Sequence, residues 1–314
     1  MEELVEGLTV ASVSLEYDDV SLVHPRYDQY KQKKSRVSQE ERRKQFLLDQ
    51  KNKRLECFNR NRGIPEEPED ESVQIKPHDE KSVYANWLML SVWLVDVPEN
   101  MKEEWYYVIC PQGKRTLVIA ERGVTRAYSR HGELLMKFPS HLPGGRKEHN
   151  GYTVLDCIWD HFSKTYFILD ILTWAVPLTN CEAELRFFWL KNKYAEIPEL
   201  SIPGKTNRHR FILLDHNYVS DLQKNMETHP FFSSNEPKVD GVIFYHKDSL
   251  YTPGKSPLVT WLKPFMLPDI LGTKVAEAYH AEIPMSYQKR RARMDVDETD
   301  AGADAKYKMA TETA

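Results

Sequence analysis

The sequence is poor in the residues that build disulfide frameworks and metal sites. It has only four cysteines, at positions 57, 110, 157 and 181, which lie far apart and show no CxxC spacing. Its eleven histidines form neither an HExxH motif nor the spacing of a zinc finger. We therefore expect reduced thiols, a cytosolic or nuclear location, and neither a metal site nor a cofactor.

Long apolar runs are missing as well. No stretch approaches the roughly 20 apolar residues that a membrane-spanning helix needs, and the chain does not open with a charged and then apolar secretory signal. No membrane partner is expected. Apolar residues still make up 41% of the chain and aromatic residues 11%, which is enough for the core of one sizeable domain with polar extensions.

Charge is divided unequally along the chain. Between Arg26 and Arg62 there are thirteen lysines and arginines against five acidic residues, so this window carries a net charge of +8. The whole chain carries −4, so the remainder carries −12. The near-neutral total therefore hides a cationic arm within a chain that is otherwise acidic on balance.

A helix is predicted for the second half of this arm. Ser38-Gln39-Glu40-Glu41 matches a capping box, in which Ser38 and Glu41 each accept a hydrogen bond from the backbone N–H of the other. No glycine or proline follows before Gly63, so the helix should run from Ser38 to Asn61, a length of roughly 35 Å. The apolar stripe is thin, and we expect an acidic, concave partner to order the helix. The stripe comprises Leu47, Leu48, Leu55 and Phe58.

Three further segments flank the arm and the body. Residues 1–15 place Met1, Leu4 and Leu8 on one helical face, which suits helix-in-groove binding, although a frayed terminus is an equally simple interpretation. Residues 64–83 form an acidic, proline-broken linker that should stay extended. The polar tail, 273–314, is expected to be disordered, and its basic run at 289–293 is either a solvated patch or a second import signal.

Residues 84–272 have the pattern of a folded α+β domain built on antiparallel sheets. Helices are few, and are predicted around Trp87–Val95 and Tyr218–Met226. Apolar, β-rich runs separated by turn residues predict strands at Trp105–Cys110, Thr116–Ala120, Thr153–Trp159, Thr165–Leu172, Leu185–Leu190 and Val242–Tyr245.

Three short motifs carry much of the charge of the arm. They are His24-Pro25-Arg26-Tyr27-Asp28-Gln29-Tyr30-Lys31, Glu41-Arg42-Arg43-Lys44 and Lys51-Asn52-Lys53-Arg54-Leu55. Together they resemble the importin-β-binding segment of importin-α adaptors and, more closely, that of the snurportin family. The resemblance implies that residues 24–63 bind the acidic inner surface of importin-β through Arg26, Lys31, Arg42, Arg43, Lys44, Lys51, Lys53 and Arg54. Charge alone leaves a solvated basic helix or a non-specific RNA-binding tail equally open.

Three motifs in the body form a second set. They are Cys110-Pro111-Gln112-Gly113-Lys114-Arg115, Val239-Asp240-Gly241-Val242-Ile243-Phe244 and a third that runs from Tyr251-Thr252-Pro253-Gly254 to Leu258-Val259-Thr260-Trp261-Leu262-Lys263-Pro264. Their order and their residue patterns resemble the nucleotidyltransferase motifs of mRNA guanylyltransferases, whose reactive lysine attacks the α-phosphate of GTP. Cys110 stands in the place of that lysine and Gln112 in the place of an aspartate. The resemblance therefore implies the fold of the nucleotide-binding domain without its catalysis.

Further segments extend the resemblance to the snurportin family from the first residue to about Gly272. They are Tyr84-Ala85-Asn86-Trp87-Leu88-Met89-Leu90-Ser91-Val92-Trp93, Leu142-Pro143-Gly144-Gly145 and Pro257-Leu258-Val259-Thr260-Trp261-Leu262. The resemblance implies a nuclear import adaptor that shuttles between cytoplasm and nucleus. Such an adaptor binds the 2,2,7-trimethylguanosine cap of spliceosomal small nuclear ribonucleoproteins, importin-β through the arm, and an exportin through Met1, Leu4 and Leu8.

The same resemblance implies a set of cap-contacting residues. Trp261 would stack on the base, because N7-methylation makes the guanine cationic and an indole face attracts a cation. Trp93 would contact the dimethylated amino group, with Leu90 and Ser91 at the base edge. Phosphate contacts are expected from Lys114, Arg115 and Arg130.

Two other functions fit parts of the sequence. An active guanylyltransferase or RNA ligase would use the same fold, although Cys110 and Gln112 argue against it. A basic-arm RNA-binding protein would need no cap specificity. Trp261 has a simpler interpretation too, since a tryptophan in an apolar strand is often a core residue.

Overall fold

The computed structural model describes residues 38–61, 83–233, 236–285 and 287. Arg26, Lys31, Met1, Leu4, Leu8, the predicted linker up to residue 82 and the basic run at 289–293 lie outside this part. The structure has twelve strands within the described residues. They are β1 (Met89–Trp93), β2 (Trp105–Pro111), β3 (Lys114–Glu121), β4 (Val124–Tyr128), β5 (Leu134–Phe138), β6 (Tyr152–Asp160), β7 (Thr165–Trp174), β8 (Val176–Pro177), β9 (Arg210–Leu213), β10 (Asn217–Tyr218), β11 (Val239–His246) and β12 (Gly254–Leu262).

The helices of the described part are short, apart from the first and third. They are α1 (Gln39–Asn61), α2 (Met101–Glu104), α3 (Ala183–Ala195), α4 (Leu222–Met226), α5 (Leu267–Leu271) and α6 (Glu277–Ala281), with single 3₁₀ turns at Pro198–Ser201, Val219–Asp221 and Pro264–Met266. No helix among the described residues is long and apolar enough to cross a bilayer.

The strands form two sheets that pack face to face. The five-stranded sheet has the order β1-β12-β11-β2-β10, and the seven-stranded sheet has the order β5-β4-β3-β6-β7-β8 with β9 paired to β7. Neighbouring strands are antiparallel except for the β1–β12 and β7–β9 pairs. The α+β prediction is therefore confirmed, and β1 lies at an edge of its sheet.

Alternation along β2 explains how the layers are held together. Tyr106, Val108 and Cys110 belong to the cluster between the two sheets, which includes residues from β3, β6 and β7. The alternate residues Trp105, Tyr107 and Ile109 belong to a second cluster with α4, α5 and α6. Because successive side chains of a strand point to opposite faces, the five-stranded sheet buries both of its faces. A third cluster packs α3 against the outer face of the seven-stranded sheet.

A buried ion pair fastens α3 to the sheets. Arg186 of α3 and Asp170 of β7 are both 0% exposed, and Arg186 Nη2 lies 2.9 Å from Asp170 Oδ2. The other terminal nitrogen of Arg186 donates to the carbonyl oxygens of Cys181 and Ser249, each at 2.7 Å. These bonds satisfy charges that would otherwise be costly to bury.

Several predicted elements are confirmed and two are wrong. Five of the predicted strands occur, and the predicted helix at Tyr218–Met226 is present in part, since Leu222–Met226 form α4, Val219–Asp221 form a 3₁₀ turn and Tyr218 belongs to β10. The strand predicted at Leu185–Leu190 lies instead inside α3, and the helix predicted around Trp87–Val95 contains β1. In β1 the hydrogen bonds to β12 outweigh the local helical preference.

The disordered tail predicted from residue 273 is wrong for the part that the structure describes. Residues Glu277–Ala281 form α6, and Tyr279 is 2% exposed. Tyr287 is 1% exposed, and its hydroxyl donates to Asp269 Oδ2 at 2.9 Å. Two tyrosines thus anchor this otherwise polar stretch, because each buries a large ring in the helical layer.

Candidate cap-binding site

The two tryptophans predicted to contact the base lie on neighbouring strands. In the parallel β1–β12 pair, Trp93 is the register partner of Trp261, and Leu94 N donates to Trp261 O at 3.3 Å. Register partners on adjacent strands project to the same face of a sheet. Leu90 pairs with Lys255, and the register shifts between Leu90 and Val92, where Ser91 lies. Leu90, Ser91 and Trp93 are half-buried. The four residues predicted to contact the base thus share one sheet edge.

The indole of Trp261 is packed more tightly than a simple stacking platform. It is 1% exposed and belongs to the cluster between the sheets. Gly241 of β11 makes room for it, since a Cβ at position 241 would lie 2.5 Å from Trp261 Cη2. Trp261 Nε1 has no hydrogen-bond partner among the described residues. The interpretation of Trp261 as a core residue therefore holds for this structure, and a base can stack on the indole only after the side chains that cover it move.

A cation already lies over the Trp261 ring. Lys263 Nζ is 5.6 Å from the ring centroid, within the range of a cation–π contact. The same ammonium lies 2.6 Å from Asp240 Oδ1, and Asp240 is 4% exposed. The position next to the indole is therefore suited to positive charge. The sequence interpretation gave no role to Lys263 or Asp240, although both lie in the quoted motifs.

Arg115 does not reach out to a ligand, which corrects its predicted phosphate role. It is 4% exposed, and its Nη2 donates to Asp156 Oδ2 at 2.6 Å while Nε donates to Oδ1 at 2.5 Å. Burial opposes the charge on Arg115, but the Asp156 carboxylate outweighs it and raises the pKa of Arg115. The fork of the guanidinium is occupied by this carboxylate.

Arg115, Asp156 and Tyr251 together hold the start of β1. Tyr251 Oη donates to Asp156 Oδ2 at 2.7 Å and accepts a hydrogen bond from Met89 N at 3.1 Å. Arg115 Nη2 donates to Met89 O at 3.2 Å. Both backbone groups of Met89 are thus bound by a network whose members are at most 4% exposed. This network fixes the strand that carries the predicted base contacts, and the sequence interpretation did not foresee it.

The other two predicted phosphate cations lie at one end of the seven-stranded sheet. Lys114 is the first residue of β3 and is half-buried. Leu117 pairs with Tyr128, so the turn after β4, with Arg130, falls at the same end as Lys114. Arg130 is half-buried, its Nε donates to His131 Nε2 at 2.9 Å, and burial lowers its pKa.

Cys110 occupies a position unsuited to nucleophilic chemistry. The side chain is 0% exposed, its Sγ lies 3.6 Å from the carbonyl oxygen of Val108, and burial raises the pKa of the thiol. A buried neutral thiol is a poor nucleophile. Among the described residues no group of three or more histidine, cysteine or acidic side chains is placed to hold a metal ion.

The arm cations of α1 fall into two groups. Arg43 is 4% exposed, and Arg54 forms an ion pair with Glu182 of the body. Four further cations of the predicted importin-β set are exposed, as is Arg54 itself, and Lys44 Nζ lies 2.6 Å from Glu40 Oε1. These four are Arg42, Lys44, Lys51 and Lys53.

Comparison with known proteins gives two family matches and several distant structural ones. The family described as Snurportin1, m3G cap-binding domain, matches residues 87–264, and the family described as Snurportin1 matches residues 24–63. Among solved structures, the ligase domain of LigD from M. tuberculosis is 19% identical with a TM-score of 0.40, over 56% of this chain and 58% of that one. The DNA ligase–adenylate of Chlorella virus is 14% identical with a TM-score of 0.38, over 56% and 68%. The matched part thus spans less than two thirds of the LigD domain, and similarity at this level carries no conclusion about activity. The match to the cap-binding family covers more than half of the sequence, and the chain therefore belongs to the snurportin family.

Proposed function

We propose that this chain is a nuclear import adaptor that binds the trimethylguanosine cap of spliceosomal small nuclear ribonucleoproteins and links them to importin-β. The observation that carries the cap-binding part is the in-register pairing of Trp93 with Trp261. It brings two aromatic side chains to one sheet edge in a domain whose family is described by this cap.

The chemistry of the cleft suits a cationic, methylated base. The Lys263 ammonium now makes a cation–π contact with the Trp261 ring. An N7-methylated guanine, which is also a cation, would replace it in that contact. Trp93 offers an apolar surface to the dimethylated amino group, which has lost its hydrogen-bond donors. Leu90 and Ser91 on the same strand would meet the base edge.

Phosphate binding is assigned to Lys114 and Arg130 at the end of the seven-stranded sheet. Arg115 is assigned instead to holding β1 through Asp156 and Met89, because it is buried and its Nε and Nη2 donate to these two residues. Cations at phosphates contribute affinity that falls with added salt but do not select the base. Raising the salt concentration should therefore lower the affinity for trimethylated and monomethylated caps by the same factor.

The basic arm is assigned to importin-β. Its net charge of +8 suits an acidic partner surface, and its second half forms a 23-residue helix with exposed cations. The exportin contact through Met1, Leu4 and Leu8, and shuttling between cytoplasm and nucleus, belong to the same proposal.

The adaptor is proposed to be without catalytic activity. The strongest reason is that Cys110, in the place of the reactive lysine, is a buried thiol whose pKa is raised. Incubation with labelled GTP and magnesium should yield no covalent nucleotidyl-protein adduct. Formation of such an adduct would favour the guanylyltransferase alternative.

Tryptophan-fluorescence titration with cap dinucleotides tests the proposed cap site. We expect the trimethylated cap to bind more tightly than the monomethylated and unmethylated ones. Trp93→Phe should reduce that preference. Trp189→Phe is the control, because it also replaces a half-buried tryptophan but one that lies on α3, not on β1 or β12, and it should leave the preference unchanged. Equal affinities for the three caps would contradict the assignment.

A further inference from the structure

Helix α1 contacts the body mainly through polar side chains, flanked by the half-buried Phe46 and Leu47. At about 100° per residue, the four docked residues fall within about 60° around the helix axis. They are Gln39, Arg43, Gln50 and Arg54. Leu48 and Leu55 lie on the opposite side and are 51% and 57% exposed. A surface helix normally buries its apolar stripe, so this contact is selective for polar groups at particular positions.

Gln39 makes the most specific of these contacts. Its Nε2 donates to Trp93 O at 2.8 Å, and its Oε1 accepts from Val95 N and Asp96 N, each at 3.0 Å. The backbone N–H of Gln39 donates to Asp96 Oδ2 at 2.9 Å. One side chain, 2% exposed, thus satisfies three backbone groups at the end of β1. Hydrogen bonds to otherwise unpaired buried groups are the ones whose loss costs most.

Arg43 is docked with part of its hydrogen-bonding capacity unused. Its Nη2 donates to Asp96 O at 2.7 Å, and its guanidinium carbon lies 5.4 Å from the Trp105 ring centroid. Its Nε and Nη1, however, have no hydrogen-bond partner among the described residues. Burial lowers the pKa of Arg43 to about 10. A buried cation with unmet donors favours exchange to a partner that offers carboxylates.

Two further contacts lie along the same helix face. Leu250 N donates to Gln50 Oε1 at 3.2 Å, and Arg54 is paired with Glu182. The docking surface therefore comprises the segment 93–96, Trp105, Glu182 and Leu250. It extends from the end of β1 to the start of α3, so it covers most of the length of α1.

We propose that this docking surface is an intramolecular competitor of importin-β for helix α1. The proposal rests on the proposed function, since it takes importin-β as the partner of the arm. Arg43 and Arg54 cannot contact the body and a carrier at the same time, so the carrier binds only the undocked fraction of the chain. The apparent affinity is lowered by that fraction.

The test uses the full-length chain with changes on the body alone. The double variant Asp96→Ala, Glu182→Ala removes two docking acceptors and leaves every arm residue intact. We expect it to bind importin-β about tenfold more tightly, which corresponds to 1.4 kcal/mol. Glu196→Ala, Glu199→Ala is the matched control, because it removes the same charge from two exposed acids at the other end of α3.

Each outcome bears on one claim. Unchanged affinity of the docking variant, or equal gains in both variants, overturns the competition. Absence of importin-β binding by the unmodified chain overturns the proposed function instead. Hydrogen exchange gives an independent readout, in which the amides of α1 should be protected in the unmodified chain and less so in the docking variant. Equal protection in both would show that the acidic side chains do not hold the helix.

Discussion

The network that holds Met89 makes a sharp prediction for one hydroxyl group. Tyr251→Phe removes the donor to Asp156 and the acceptor of Met89 N, and both groups stay buried. A hydrogen bond to a charged group contributes about 1.5–3 kcal/mol, and an unsatisfied buried N–H costs about 1–3 kcal/mol. Since one side chain makes both bonds, we expect the free energy of unfolding to fall by the sum of the two, about 2.5–6 kcal/mol.

Tyr245→Phe is the matched control for this experiment. Tyr245 is 0% exposed and belongs to the same cluster between the sheets. Its hydroxyl has no hydrogen-bond partner within the described part of the chain. Replacing an unpaired buried hydroxyl with hydrogen should leave stability unchanged or raise it.

Urea unfolding followed by tryptophan fluorescence measures both variants. The midpoint should fall for Tyr251→Phe without a change in slope, since the exposed area on unfolding is the same. Hydrogen exchange at Met89 N should accelerate in that variant alone. Equal stability losses in the two variants would refute the reasoning, because the losses would then come from packing rather than from the network.

Four further substitutions have defined outcomes. Trp261→Ala should destabilise the fold by about 3–5 kcal/mol, whereas Trp93→Ala should mainly lower the affinity for the trimethylated cap, by about 1–3 kcal/mol in titration. Asp170→Asn leaves its buried arginine partner uncompensated and should cost about 3–5 kcal/mol in urea unfolding. Burial lowers the pKa of His209 to about 4, so below pH 6.5 the unfolded chain takes up the proton first. Stability should therefore fall towards pH 4 by at most about 1.4 kcal/mol per pH unit, and His209→Gln should flatten that fall.

The sequence predicted the strands with long apolar runs and missed elements whose identity depends on a partner. β2, β6 and β7 are buried along their length, so their patterns are unambiguous. Leu185–Leu190 is equally apolar but forms part of α3, where Phe188 is 65% exposed. An apolar run of six residues fits a strand or a buried helix, and only the tertiary packing decides.

The capping box at the start of α1 was predicted and is confirmed. Glu41 N donates to Ser38 Oγ at 3.1 Å, and Ser38 N donates to Glu41 Oε2 at 3.0 Å. Local motifs of this kind carry their own hydrogen-bond partners, so sequence is sufficient. The docking of the same helix was not predicted, because the partners of Gln39 are backbone groups more than 50 residues away.

The candidate site was predicted in part. The motifs placed Trp93 and Trp261 in one functional set, and the structure has them in register. Whether Arg115 could bind a phosphate depended on whether an acidic side chain would lie beside it. That partner is Asp156 on β6, which is 41 residues away in the sequence, so the spacing of the motifs could not identify it. Burial of Trp261 was also beyond the reach of the sequence, since it depends on the space left by Gly241.

That missing side chain sets how closely the Trp261 ring approaches β11. The ring lies against the bare backbone of this strand, so any larger residue at 241 would displace it. The position of the indole is thus determined by a neighbouring residue that has no side chain. In the proposed cap site, a residue that does not contact the ligand would therefore change which base fits.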